Sequence, residues 1–179
     1  MGTDGRTGET VQTVGVPYRY ITKEVTLAAT TNYTKGDVLS NSASAGTYIE
    51  FANVVNSVGG SGRIVGAIIQ AQNTQVAISP TLYLFTSAPT NANLNDNIAN
   101  TAPHYSDSGY IGEINFPVFT YSGGGGKTEA VEGAGNLPKR FQCAEGATSL
   151  YGICKTEDDW TNEFAGEKFT FILFIEHNA

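Results

Sequence analysis

The residues most able to do chemistry in this 179-residue chain fall in three stretches. Gly123 to Thr128, GGGGKT, ends like a phosphate-binding loop, in which backbone amides cradle phosphate and the lysine reaches it. That pattern requires glycine five residues before Gly126, where Tyr121 stands, and a following helix whose dipole points at the anion. Gly133, Gly135 and Pro138 leave room for about one helical turn at most. The segment therefore predicts a surface loop and no nucleotide site.

Asn93, Asn95, Asp96 and Asn97 offer oxygen ligands near calcium-loop spacing, but Ile98 occupies the glycine position and one of the four is charged. Glu157-Asp158-Asp159 is a denser anionic cluster, either solvated in a polar turn or a calcium ligand set. His104 and His177 are isolated, and neither they nor Cys143 and Cys154 make a zinc-like ligand pair. With two histidines and no GxSxG elbow, nothing marks a nucleophile with its base, and no carboxylate pair stands out. Tyr105, Tyr121 and Trp160 are either a sugar-stacking platform or turn and core-rim residues. No catalytic, cofactor-binding or metal-binding residue is assigned, and the chain reads as a non-enzyme.

Composition points the same way. Ten Lys and Arg against seventeen Asp and Glu give a net charge of -7 with no basic stripe, so nucleic acid is not an expected partner. Neither a secretory leader in MGTDGRTGETVQ nor a run of ~18 apolar residues is present, so no membrane contact is expected. Charged residues are 15% of the chain, below the usual ~25%, with Gly, Thr, Ser and Asn in their place. That is the composition of strands and turns.

The elements follow from apolar periodicity. Residues 1–16 are Gly- and Thr-rich and predict a flexible arm; 17–179 read as a single domain, long enough to bury roughly 70% of its unfolded surface. Strands are predicted around Val25 and Leu27, at Val38-Leu39, at Tyr48 to Phe51, and at Arg63 to Ala71, which is apolar on both faces. Thr81 to Thr86 is another, ending before Pro89. Asn91 to Ser108 predicts a long loop with at most one helical turn. Tyr110 to Phe119 predicts a strand in which Pro117 marks an edge position or a bulge, and Ser122 to Gly135 a projecting loop. Phe141 to Cys143, Ser149 to Lys155 and Lys168 to Glu176 complete the set. The last is apolar on both sides, which predicts a closed sandwich or barrel, or a face pressed on a partner. A hairpin at Glu145-Gly146 would set Cys143 opposite Thr148 and leave Cys154 roughly 20 Å away, beyond the ~7 Å of a disulfide. The fold class is all-β: an antiparallel sandwich or jelly-roll-like barrel.

In order along the chain, YTKGDVLSN (33–41), IEFANVVNSVGGSGRIVGAIIQ (49–70), TLYLFTSAPT (81–90), YIGEINF (110–116), TSLYGICKT (148–156) and FTFILFIEHN (169–178) resemble the small β-rich structural proteins of tailed bacteriophages. The Gly-rich 122–135 segment and the acidic Glu157 to Glu163 segment depart from that group by their length. The resemblance implies a virion component made in the host bacterial cytoplasm. Its expected place is the capsid exterior, as a decoration or cement protein whose partner is the major capsid protein; head fibre, neck and tail are the alternatives. It carries no site residues over. A glycan-binding β-sandwich is the alternative of another class. Apolar surface on Phe169 to Ile175 predicts a cyclic homo-oligomer, and three-fold lattice positions favour a trimer. Val11, Val14 and Val16 would let the arm add a strand to a neighbour's sheet edge.

Overall fold

Two long runs rich in β-branched and aromatic residues, Ser61–Ala71 and Lys168–His177, pair antiparallel along nearly their whole length. They form the spine of a sheet, as such residues do where a pleated surface is half-buried. The computed structural model describes residues 18–28, 32–73, 75–121, 124–131, 133–162 and 166–177; the predicted arm at 1–16 lies outside them. The strands in chain order are β1 Tyr18–Thr26, β2 Asn32–Tyr33, β3 Ile49–Phe51, β4 Ser61–Ala71, β5 Pro80–Phe85 and β6 Tyr110–Asn115, then β7 Thr120–Tyr121, β8 Gly126–Val131, β9 Lys139–Gln142, β10 Leu150–Thr156, β11 Trp160–Thr161 and β12 Lys168–His177.

The first sheet runs β1-β12-β4-β8-β7, with β9 beside β8 along the same edge of β4. The second runs β3-β10-β5-β6, and every pairing is antiparallel. Ile64, Ala67, Ile69, Phe169, Phe171, Leu173 and Ile175 from the first sheet share one buried cluster with Phe51, Leu82, Leu84, Ile114 and Leu150 from the second. The fold is thus an all-β sandwich and not a closed barrel. No helix among the described residues is long and apolar enough to cross a membrane.

Strand β5 is buried on both faces. Leu82 and Leu84 enter the core between the sheets. Tyr83 and Phe85 point the other way and join Ile153, Val38, Ala92 and Ala102 in a second cluster. The long 86–109 segment, predicted as a loop, is irregular apart from a single β-bridge between Ala99 and Asp37, and it lays Ala92 and Ala102 over the outer side of the second sheet.

Several expectations change in detail. Gly126–Val131, predicted as part of a projecting loop, is a strand paired with β4. Its glycines serve close packing: a Cβ on Gly125 would lie 2.6 Å from the Ala71 carbonyl oxygen, and one on Gly126 would lie 3.1 Å from the Phe119 ring. The strand predicted over Tyr110 to Phe119 ends at Asn115, so Pro117 stands beyond the ladder it cannot donate to. The two-sided apolar character of β4 reflects a bulge. Ile175 pairs with Ile64 and Phe174 with Gly66, so Val65 is the extra residue and the inward phase changes across it. In β12 the inner face is buried while Phe174, Ile172 and Thr170 are only half-covered. A second layer of this chain does not close over them.

The turn at Glu145-Gly146 forms, but not as a hairpin. Cys143 follows β9 of the first sheet, and the chain then crosses to β10 of the second, where Cys154 sits opposite Leu82. Both thiols are free and buried, and burial raises the pKa of each. The native protein should therefore react negligibly with a thiol reagent such as DTNB and release two equivalents in denaturant. Rapid native labelling, or a bridge in non-reducing mass spectrometry, would contradict this packing.

Candidate functional site

A carboxylate taken out of water must be held by donors, or it is strongly destabilising. Asp96, the one charged residue of the asparagine-rich stretch, is only 1% exposed. Its Oδ1 accepts the Ser40 amide at 2.8 Å, and its Oδ2 accepts the Ala28 amide at 3.0 Å and the Tyr33 hydroxyl at 2.8 Å. Burial first, and the adjacent carboxylate second, push the Tyr33 hydroxyl pKa far up, so it stays a donor. The neighbouring asparagines shape the backbone. Asn93 caps its own turn by accepting the Asn95 amide, Asn95 accepts the Gly46 amide, and Asn97 takes a left-handed φ of 57°, which asparagine tolerates better than most residues. The stretch is a knot that ties 86–109 to Ala28, Tyr33, Ser40 and Gly46.

The three acids after β10 are also occupied, two with the start of β5 and one with Lys35. Glu157 accepts from the Lys155 ammonium and the Thr81 hydroxyl, both at 2.9 Å. Asp158 accepts the Ser79 amide at 2.7 Å, and Asp159 the Lys35 amide at 2.8 Å. Burial raises the Glu157 carboxyl pKa, but the bonds from Lys155 and Thr81 outweigh it and hold the group below its ordinary 4.5. Among the described residues no group of three or more His, Cys, Asp or Glu is placed to hold a metal ion.

The remaining candidates are scattered. His177 is buried at the end of β12, where its Nε2 accepts from Arg19 Nε at 3.3 Å, while His104 lies in the 86–109 segment beside Tyr105. Trp160 stacks on Tyr33 with ring centroids 5.2 Å apart and meets Phe169 edge-on, a core-rim position. Tyr105 is 94% exposed; the Tyr121 side chain lies outside the described residues. In β8, Lys127 bonds Glu129 and Thr128 bonds the Pro117 carbonyl, so the GGGGKT ending is sheet.

Sequence reasoning missed two features. Glu167 is buried, and it accepts the Asn73 amide at 2.8 Å. An acid in Gly-Glu-Lys before a strand gives no periodic signal that it points inward. The second is the extent of the outer face of the first sheet: the sequence shows the apolar outer side of β12 but not the Tyr18, Tyr20 and Val131 that extend it on β1 and β8. Tyr20 and Tyr18 on β1 are 67% and 53% exposed, and Val131 on β8 is 50% exposed. Tyr20 meets Phe174 edge-on at 5.1 Å, and the Phe174 ring lies over Gly66, where a Cβ would be 3.0 Å from Cδ2. Tyr18, Tyr20, Phe174 and Gly66, together with Val65 and Glu129, line a shallow depression of about 410 Å³. No protein-family model matches the chain, and neither the curated proteins nor the solved structures include a match to it.

Two outcomes follow from the committed acids. Asp96→Ala strands the buried Ser40 amide and Tyr33 hydroxyl and the part-buried Ala28 amide, so chemical denaturation should show a loss of about 3–5 kcal/mol, with Tm lower by about 10 °C. For Glu157 the folded pKa is depressed, so its contribution is present above pH 4.5 and lost as pH falls through the folded value. The stability gap between wild type and Glu157→Gln should therefore be widest near neutrality and shrink on acidification. A gap that grows toward low pH would contradict the assignment.

Proposed function

We propose that this chain is a non-enzymatic virion structural protein, a capsid decoration or cement protein that binds the outer surface of the major capsid protein lattice and self-associates as it does so. The observation that carries the reading is the use made of its polar side chains. Asp96, Glu157, Asp158, Asp159 and Glu167 each cross-link a loop to another segment. Such cross-links suit a part whose task is to keep its shape on a lattice. Their ordered partners also leave these acids little freedom to serve as acid, base or ligand. The resemblance to β-rich tailed-phage proteins points to the same place, and a homotrimer fits the three-fold positions of such a shell.

A second reading, a glycan-binding β-sandwich, draws on Tyr105, a residue 94% exposed beside His104 whose ring has the flat apolar face that stacks on sugars. Mixing the purified protein with shells that lack it and pelleting the shells separates the two. Decoration predicts saturable co-sedimentation at a fixed number of copies per shell. No pelleting, together with hits on a glycan array that Tyr105→Ala abolishes, would replace the first reading with the second.

A further inference from the structure

We infer that the outer face of the first sheet, across β1, β12, β4 and β8, is the surface through which copies of this chain bind one another. The inference rests on the self-association in the reading above and not on attachment to a shell. By register, Tyr20, Phe174, Gly66 and Val131 form one row across the four strands, and Thr22, Ile172, Ile68 and Glu129 form the next. At ~4.8 Å between strands and ~3.3 Å per residue, this face covers on the order of 500 Å². That is enough for a specific contact of the weaker class.

Charge selects the occupant. With β9 included beside β8, the face carries Glu24, Glu129 and Glu176 against Arg63, Lys127, Arg140 and Lys168, a balance of +1. The whole chain is -7, which leaves -8 for everything else. Each of the three acids is bonded to a base on the same face: Glu24 to Lys168 at 2.9 Å, Glu129 to Lys127 at 3.3 Å and Glu176 to Arg63. Two copies meeting elsewhere would oppose acid to acid, whereas here they meet nearly neutral and apolar. A basic partner would be drawn to the rest of the surface, and a polyanion finds almost no excess positive charge here.

Edge pairing is disfavoured by comparison. On the edge strand β1, Arg19 and Lys23 stand on the inward side, opposite Ile175 and Phe171, and inward-pointing charge on an edge is a known block to further strand addition. Arg19 also bonds the Asn53 carbonyl and Asn56, which anchors that edge to the neighbouring loop. At this end of the sheet the open face, and not the β1 edge, is the surface suited to assembly.

The test is sedimentation equilibrium of the full chain from low to high micromolar, beside Tyr20→Glu combined with Val131→Glu, two exposed positions outside the core. The wild type should exceed the 18.9 kDa monomer, as a dimer or trimer, with the variant's association weakened at least about tenfold. Hydroxyl-radical footprinting of the unmodified chain provides a second readout, in which labelling of Tyr20 and Phe174 should fall as concentration rises. A wild type that stays monomeric overturns the inference and leaves the face to a shell protein or to the residues before Tyr18. So does an oligomer untouched by the double variant with Tyr20 still fully labelled. Shell binding by a monomer would spare the proposed function while removing this inference.

Discussion

A single buried carboxylate settles much of this architecture. Asp96 draws the Ala28 amide, the Tyr33 hydroxyl and the Ser40 amide onto its two oxygens, and none of these donors would be satisfied by packing alone. Because they come from the segment after β1, from β2 and from residues near Val38, the bonds fix the 86–109 segment against the sandwich. With that segment fixed, Ala92 and Ala102 cover Tyr83 and Phe85, and β5 can be apolar on both faces without exposing either. Ile153 on the adjacent β10 lies under the same lid.

The consequence is an asymmetric sandwich. The second sheet is covered on both sides, by the common core and by the 86–109 segment. The first sheet is covered on one side, and its outer face ends in Tyr18, Tyr20, Ile172, Phe174 and Val131. A row of half-covered aromatic and branched residues on an otherwise acidic molecule is the kind of patch that marks association. The ion pairs along its length keep it nearly neutral without lessening its apolar character. The lid also accounts for the acidic turn after β10. Glu157, Asp158 and Asp159 reach back to Thr81, Ser79 and Lys35, so the ends of β5 and β10 are held where the lid requires them.

Much of the strand content was legible because β-branched and aromatic runs separated by glycine and asparagine leave few alternatives, and β4, β5, β10 and β12 lie close to their predicted positions. What was not legible has identifiable physical causes. Val65 shifts the inward phase of β4, and a bulge has no signature in composition. Gly126 to Val131 reads as loop because glycine depresses strand propensity, yet close approach to Ala71 and Phe119 requires glycine at its start. Asp96 and Glu167 look like surface acids because nothing local announces the donors that reach them from residues distant in the chain. The apolar outer side of β12 was visible as an excess of hydrophobic residues. Its location on an open face was not, since that depends on where the 86–109 segment folds.

A rigid, acidic sandwich with one uncovered face suits a part that acts in many copies on a surface, where weak contacts add through avidity. A density map of the intact particle tests that account most directly. It should show the sandwich on the outside of the shell at every equivalent lattice position, with neighbouring copies touching through the face that carries Tyr20 and Phe174. Density for this domain inside the shell, or a particle that lacks it, would contradict the account.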